Sequence, residues 1–240
     1  MYKEKGYICY ILNQNPMKKF ACLLLMSVIL LISCKKKNSE IVDPDHIQQE
    51  LWYIYYADNN DSYFGVRFYD TDWYTRVILA SPSYITLNGY NMNLNTVNSY
   101  YESHYDNEQV PTGTFVYSDQ WKRVYTNTAN LERQIELPAI DTLFKNKDNV
   151  ITWQGAPCGG GNESVTIHVG IILPVAEVTT NQAGATSITI KAGALSIWNS
   201  GVPIRIRIDR QTTFPLQQGT GAGGKIITRY ESVVKKVMVQ

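Results

Sequence analysis

Aromatic side chains are the residues of this sequence best suited to bind a ligand. Strand alternation over Leu51–Ala57 places Trp52 and Tyr56 on one face and Tyr53 and Tyr55 on the other. One face must pack on a core, so the other leaves aromatic rings near water. Such rings suit stacking on sugars or packing against a protein partner. The alternative is that Tyr fills half-exposed positions of a Tyr-rich sheet, since single exposed aromatics are common.

A second aromatic segment follows directly. In Tyr63–Tyr69, the side chains of Tyr63, Arg67 and Tyr69 share one face, opposite an apolar face rich in Phe. A turn with two further aromatic residues comes next in the chain. The candidate ligand-binding residues of both segments and the turn are Tyr53, Tyr55, Tyr63, Tyr69, Trp73 and Tyr74.

From Lys35 onward, the other reactive side chains are one cysteine thiol and three histidine imidazoles. Cys158 lies in a glycine-rich stretch, and a nucleophilic cysteine needs a base, usually His, close by in the fold. The histidines are His46, His104 and His168. His168 alternates with apolar neighbours, which directs its ring to solvent. The sequence therefore predicts a free loop thiol at Cys158 and no catalytic residue.

Metal, phosphate and cofactor sites have no convincing pattern. Dispersed His and Cys residues lack the spacing of a zinc site, and the acidic turns Asp58–Asp61 and Asp70–Asp72 lack the glycine-centred loop of a calcium site. The run Gly219–Lys225 invites a phosphate-loop interpretation, but such loops lead into a helix and Ile226–Tyr230 has the pattern of a strand. We predict no metal, no cofactor and a hairpin loop at this run.

Carboxylates leave a second class of function open. Glu102, Asp106 and Glu108 lie in a polar segment predicted as a loop, and a pair of facing acids is the machinery of glycoside hydrolysis. The separation of two carboxylates does not follow from their positions in the sequence. Two facing acids in a deep cleft would favour a hydrolase, whereas a shallow aromatic strip would favour binding.

The elements that position these residues have the two-residue period of β-strands, and no long stretch has the 3.6-residue period of a helix. Within Val202–Asp209, Ile alternates with Arg, which places the Ile side chains in a core. Asn88-Gly89 predicts a type I′ hairpin turn, because both residues tolerate positive φ. The predicted strands are Leu51–Ala57, Tyr63–Tyr69, Trp73–Ala80, Tyr84–Leu87, Tyr90–Leu94, Gly113–Tyr117, Trp121–Thr126, Leu131–Leu137, Val150–Gln154, Glu163–Ile172, Ser187–Lys191, Val202–Asp209 and Lys225–Val239.

Short strands with Gly- and Asn-rich turns predict an all-β fold of antiparallel β-sandwiches. A break at Pro138–Asn149 divides the strands into two sets, and it predicts one sandwich domain at residues 49–138 and a second at residues 139–240. In the second set, the strand with Ile151-Thr152-Trp153 and the following strand with Val165–Val169 resemble bacterial immunoglobulin-like modules. The resemblance implies architecture and carries no function.

The start of the chain has the pattern of a secretion signal. Lys18 and Lys19 precede an apolar run, Phe20–Ser33, that is too short to span a bilayer. The run ends in Leu31-Ile32-Ser33-Cys34, which resembles the lipobox of bacterial lipoproteins. The resemblance implies cleavage before Cys34 and lipid on its thiol and new amino terminus. The predicted segments are a misassigned start at residues 1–16, a signal peptide at 17–33 and a lipidated, flexible tether at 34–48.

Composition and charge narrow the function without identifying a ligand. The chain is 44% hydrophobic and has a formal net charge of +1, which gives no electrostatic case for nucleic acid as a partner. We expect a protein of the cell envelope, anchored by lipid to the outer membrane. Its β body is predicted to be a non-enzymatic binding module for a glycan or an envelope protein. A small extracytoplasmic hydrolase that uses loop carboxylates is the alternative.

Overall fold

The computed structural model describes residues 35–72, 74–171 and 174–240. Cys34 with the predicted leader, and Trp73, lie outside the described residues. The described chain is almost entirely β-structure, which confirms the predicted fold class, and its helical segments are the short 3₁₀ turns Ser39–Ile41 and Pro44–His46. The strands are β1 (Lys36–Asn38), β2 (Gln48–Tyr56), β3 (Asp61–Tyr69), β4 (Arg76–Ile78), β5 (Tyr84–Leu87), β6 (Tyr90–Asn91), β7 (Asn93–Asn95), β8 (Tyr100–Tyr105), β9 (Thr112–Ser118), β10 (Val124–Asn130), β11 (Ile135–Glu136), β12 (Thr142–Leu143), β13 (Asn149–Thr152), β14 (Gln154–Gly155), β15 (Glu163–Gly170), β16 (Pro174–Thr180), β17 (Ser187–Ile190), β18 (Pro203–Pro215), β19 (Gly224–Glu231) and β20 (Lys235–Val239).

A large sheet connects the two halves of the described chain. Its strands follow the order β1-β4-β3-β2-β19-β18-β15-β16, and β2 from the N-terminal half pairs in parallel with β19 from the C-terminal half. Lys37–Gln240 accordingly form one compact unit. The structure here differs from the prediction of two separate antiparallel sandwiches at residues 49–138 and 139–240, because the β2–β19 pairing makes one mixed sheet out of both halves.

The segment predicted to link two domains is part of this unit. Within it, β12 pairs in parallel with the C-terminal strand β20, and Leu143 is fully buried. The side-chain amide of Asn149 donates a hydrogen bond to the Phe144 carbonyl at 2.7 Å. The polar residues of Pro138–Asn149 therefore form turns against the body. Local composition could not reveal this packing, because the partner strand lies at the far end of the chain.

The described part of the predicted tether, residues 34–48, also packs on the body. Lys37 forms an ion pair with Asp70 at 2.6 Å. Ile47 is fully buried, and its carbonyl oxygen accepts a hydrogen bond from the Thr220 hydroxyl at 2.6 Å. Thr220 belongs to the glycine-rich connection between β18 and β19, which leads into a strand and is the predicted hairpin loop. The prediction of a flexible segment therefore does not fit these residues.

One face of the large sheet packs on a continuous hydrophobic core. Over the N-terminal half, the opposing layer is the four-stranded sheet β10-β9-β5-β6. Aromatic rings meet between the layers, with centroid distances of 4.7 Å for Phe68 and Tyr117 and 6.0 Å for Phe64 and Phe115. Over the C-terminal half, the pairs β11–β14 and β13–β17 add buried side chains to the same core. The arrangement is sandwich-like along its whole length.

The opposite face of the large sheet is here called the outer face. Along each strand, successive side chains point alternately to the core and to the outer face. In β18 the side chains of Ile204, Ile206 and Ile208 are buried while Arg205 is exposed, which confirms the predicted period. The predicted Asn88-Gly89 turn is also confirmed, because it joins β5 to β6 with φ angles of 50° and 85°. Every second side chain of β8, β3, β2 and β19 therefore reaches one common surface.

Candidate ligand-binding groove

A concave groove lies on the outer face where β8, β3, β2 and β19 adjoin. Its volume is about 300 Å³, which is at the small end of ligand-binding pockets. Cross-strand pairing builds the floor, because Trp52 lies opposite Gly65 of β3 and Ile227 of β19. The side chains that line the groove are Glu50, Trp52, Ile54, Tyr63, Arg67, Tyr100, Ile227 and Arg229.

Gly65 makes room for the indole of Trp52 in the floor. A Cβ atom at position 65 would fall well inside contact distance of ring atoms Cε2, Cζ2 and Nε1 of Trp52. The indole therefore occupies the space that a side chain on β3 would fill, and only 8% of Trp52 is exposed. The floor is thus an aromatic surface whose position depends on a missing side chain on the neighbouring strand.

An arginine in contact with two aromatic rings forms one wall of the groove. The guanidinium carbon of Arg67 lies 4.8 Å from the Trp52 ring centroid and 5.4 Å from that of Tyr100. Cation–π contacts of this kind are worth about 0.5–2 kcal/mol each. The ion pair between Arg67 and Glu50 is long, at 3.7 Å, and Glu50 also binds Lys225 at 3.0 Å. The Arg67 Nε atom is buried and finds no hydrogen-bond acceptor among the described residues.

A tyrosine held by a carboxylate forms a second wall. The Tyr63 hydroxyl donates a hydrogen bond to Glu102 on β8 at 2.9 Å, and its ring meets His104 edge to face at 4.4 Å. Burial, with hydrogen bonds to Tyr100 and Glu102, raises the pKa of Tyr63. Although burial acts in the opposite direction, hydrogen bonds from Tyr63 and Tyr100 hold the pKa of Glu102 below its ordinary value. Glu102 is therefore an ionised acceptor that orients an aromatic ring, and it is poorly suited to donate a proton.

The wall on the β19 side carries a second arginine. Arg229 lies opposite Ile54 of the floor. Its guanidinium donates hydrogen bonds to the side-chain carbonyl of Gln211 at 2.6 Å and 3.1 Å, and it lies 3.5 Å from Glu231. These contacts use several N–H groups of Arg229. It therefore has fewer free hydrogen-bond donors for a ligand than Arg67.

Two of the aromatic residues predicted to bind a ligand lie in the core. Tyr53 and Tyr55 are buried, and the Tyr53 ring stacks on Phe64 at 4.3 Å. The Tyr53 hydroxyl donates a hydrogen bond to the Val110 carbonyl at 2.6 Å, and burial raises the pKa of Tyr53 to about 12. The structure therefore corrects the assignment of Tyr53 and Tyr55 to a ligand-facing surface. Alternation separated the two faces, but both carry aromatic rings, so it did not show which face is buried.

The other predicted aromatics lie on or near the outer face. Tyr63 lines the groove. Tyr69 is buried beneath the Arg76 guanidinium, which lies 4.2 Å from its ring centroid. Tyr74 is 82% exposed in the connection between β3 and β4, and Trp73 lies outside the described residues. The structure therefore brings Tyr63 into the groove and leaves Tyr69 and Tyr74 away from its lining.

Of the eight lining residues, only Tyr63 was predicted as a ligand-binding residue, and the aromatic residues and arginines that were not are Trp52, Arg67, Tyr100 and Arg229. Two of them had a usable signal, because strand alternation places Arg67 beside Tyr63 and leaves Trp52 on the face opposite the buried Tyr53. Tyr100 belongs to β8, whose mixture of Tyr, Glu, Ser and His resembled a loop. Arg229 arrives through the parallel β2–β19 pairing, for which the sequence has no local signal.

A cluster of charged side chains lies beside the groove on β18 and β19. Asp209 and Glu231 are cross-strand partners, and Arg207 binds them at 3.1 Å and 2.9 Å. His168 lies 2.7 Å from Asp209. Burial and the adjacent Asp209 raise the pKa of Glu231, as expected for neighbouring acids. Both carboxylates are buried and paired with Arg207, and neither lines the groove, so this acid pair does not face a cleft of the kind in which glycosidases hold a substrate.

The remaining candidate residues from the sequence are Cys158, Asp106 and Glu108. Cys158 is free and lies in the connection between β14 and β15, as predicted, and it is buried there. Its Sγ atom lies 3.8 Å from the Glu163 carbonyl oxygen, and the Glu163 carboxylate binds the buried Arg210 at 2.7 Å. Asp106 and Glu108 are exposed in the connection after β8. Across residues 35–72, 74–171 and 174–240, no group of three or more His, Cys, Asp and Glu side chains is arranged to hold a metal ion.

Sequence comparisons with protein families and curated proteins suggest no function for this chain. The sequence matches no protein-family model and no curated protein. In the part of the chain that the structure describes, no helix has the length and apolar character needed to cross a membrane. The functional interpretation therefore depends on the groove and on the sequence pattern of the leader.

Proposed function

We propose that this chain is a non-enzymatic binding module of a bacterial cell envelope and that its outer-face groove binds a saccharide. The supporting observation is the groove of about 300 Å³, in which Trp52 forms an aromatic floor and Tyr63 and Tyr100 contribute to the walls. Aromatic rings beside hydrogen-bonding groups suit sugars, which have apolar ring faces and polar edges. A protein partner would need about 800 Å² of surface on each side, so a small groove favours a small ligand.

The proposed location depends on the leader. The sequence Leu31–Cys34 matches the lipobox pattern and follows a charged and then apolar run. This pattern supports cleavage before Cys34, lipid attachment to its thiol, and anchoring to the outer membrane. Two or more acyl chains are sufficient for stable attachment to a bilayer. A lipid-anchored module of this kind would present its groove to envelope glycans.

A binding role has more support than the hydrolase alternative. Glu102 is ionised and accepts a hydrogen bond from the hydroxyl of Tyr63, whose ring forms a wall of the groove. The neighbouring acids Asp209 and Glu231 are buried, both form ion pairs with Arg207, and neither lines the groove. A glycosidase needs one acid that keeps its proton and a second acid that faces it across the substrate. The carboxylates around the groove instead act as acceptors that hold other side chains.

Titration calorimetry with a panel of neutral and acidic soluble oligosaccharides tests the proposal. We expect at least one member of the panel to bind the purified protein, and Trp52→Ala to weaken that binding by about tenfold, the equivalent of about 1.4 kcal/mol of lost ring contact. Trp121→Ala is the matched control, because Trp121 is 56% exposed and does not line the groove. Thermal unfolding of each variant verifies that it is folded.

Two results would contradict the proposed function. One is the absence of measurable binding to every saccharide of the panel. The other is an equal loss of affinity in Trp52→Ala and Trp121→Ala, which would place the binding site elsewhere. Release of shorter products from a bound oligosaccharide during prolonged incubation would instead favour the hydrolase.

A further inference from the structure

Arg67 is the least satisfied cation of the groove. Its side chain is 33% exposed, its ion pair with Glu50 spans 3.7 Å, and its buried Nε has no hydrogen-bond acceptor among the described residues. Arg207, on the same outer face, binds two carboxylates at 3.1 Å and 2.9 Å. Arg229 binds the side-chain carbonyl of Gln211 at 2.6 Å. Among these three arginines, Arg67 therefore keeps the largest unused capacity to donate hydrogen bonds.

The surroundings of Arg67 hold its guanidinium without using its hydrogen bonds. The rings of Trp52 and Tyr100 lie 4.8 Å and 5.4 Å from the guanidinium carbon, so they contact its faces or edges through cation–π interactions. Glu50, the nearby acid, is shared with Lys225 at 3.0 Å, which reduces its hold on Arg67. A planar guanidinium with unused N–H groups is the side chain that binds carboxylates in a bidentate manner.

We infer that the groove selects saccharides that carry a carboxylate, such as uronic acids, and that Arg67 binds that carboxylate. The inference rests on the proposed saccharide function and adds the class of sugar. The sugar ring contacts Tyr63, Tyr100 and the apolar floor, and its carboxylate lies at the Arg67 wall. Sulfate and phosphate esters share the anionic chemistry, but a planar carboxylate with two oxygens matches the fork of the guanidinium most closely.

The test compares one saccharide chain in a charged and a neutral form. Oligogalacturonate and its fully methyl-esterified counterpart have the same rings and differ in the carboxylate charge. We expect the acid form to bind wild-type protein about ten- to hundredfold more tightly than the ester, because a charge-assisted bidentate pair forms only with the acid. Affinity for the acid form should fall as salt is raised, whereas affinity for the ester should not.

Three arginine variants locate the effect. Arg67→Gln should lower affinity for the acid form far more than affinity for the ester, so that the variant binds the two forms about equally. Arg67→Lys keeps a positive charge beside the two rings but lacks the planar guanidinium fork, so it should retain an intermediate affinity for the acid form. Arg205→Gln, an exposed arginine of the same outer face that does not line the groove, should change neither affinity. Arg67→Lys also serves if Arg67→Gln fails to fold.

The outcomes separate this inference from the proposed function. Equal affinity for acid and ester, or an equal loss of both in Arg67→Gln, would overturn carboxylate selection while leaving saccharide binding in place. Preference for a sulfated or phosphorylated oligosaccharide over the carboxylated one would also overturn it. Binding of neither form, together with no binding across the neutral panel, would contradict the proposed function itself.

Discussion

Replacing Gly65 with alanine tests whether the groove depends on the position of one aromatic ring. A methyl group at this position would overlap Cε2, Cζ2 and Nε1 of the Trp52 indole. The ring would have to retreat by more than about 1 Å to restore a normal contact of ~3.5 Å. Trp52 also contacts Tyr100 and Arg67, at ring distances of 5.5 Å and 4.8 Å. The displaced indole would therefore disturb the floor and the Arg67 wall together.

The expected loss of stability is small, and the expected loss of binding is large. Overpacking of this kind lowers the free energy of unfolding by about 1–3 kcal/mol, while the removal of a glycine from a strand returns about 0.5–1 kcal/mol. The net loss for Gly65→Ala should be about 0.5–2 kcal/mol. Saccharide affinity should fall by about tenfold or more, because two of the groove's surfaces move.

Urea unfolding and titration calorimetry measure the two quantities separately. Gly113→Ala is the matched control, because a methyl group there would overlap the ring of Phe64 on the core face. We expect Gly113→Ala to lose stability and keep its affinity, and Gly65→Ala to lose affinity and keep most of its stability. Wild-type affinity in Gly65→Ala would refute the argument, since the position of Trp52 would then have no bearing on binding.

Three further predictions concern the core, the charge cluster and the anchor. Ile206→Asp should lower the free energy of unfolding, measured in urea, by about 4 kcal/mol, because an unpaired charge enters a fully buried site. The control Arg205→Ser, at an exposed position, should change it by less than about 0.5 kcal/mol. Equal effects would contradict the two-residue period of the strand. Although burial opposes it, the hydrogen bond to Asp209 raises the pKa of His168, so its stabilisation is present below the ordinary His pKa and is lost as pH rises through the folded value. His168→Gln should therefore destabilise the protein more at about pH 5.5 than at about pH 8.5, and a pH-independent difference in urea unfolding would contradict this pairing. Cys34→Ala should abolish metabolic labelling with a fatty acid, and undiminished labelling would refute the lipid anchor.

Local patterns in the sequence predicted most of the strands and their two alternating faces, but they missed β8 and β16. Alternation predicted the buried Ile side chains of β18, and Asn88-Gly89 predicted the turn between β5 and β6. Both follow from backbone preferences that act within a few residues. The same alternation separated Trp52 from Tyr53, but it did not identify the buried face. Burial depends on which layer arrives against the strand, and the aromatic rings on both faces were compatible with either answer.

Only the tertiary structure decided which side chains lie beside one another. The groove takes its lining from β8, β3, β2 and β19, and Arg229 reaches it because β19 pairs with β2. The β2–β19 pairing also removes the boundary predicted at Pro138–Asn149. Near Lys37 and in Pro138–Asn149 the composition is that of a linker, and packing against distant strands orders both segments. Residue type is a local property, whereas a binding groove depends on strand partners and register, which are set when sequence-distant strands meet.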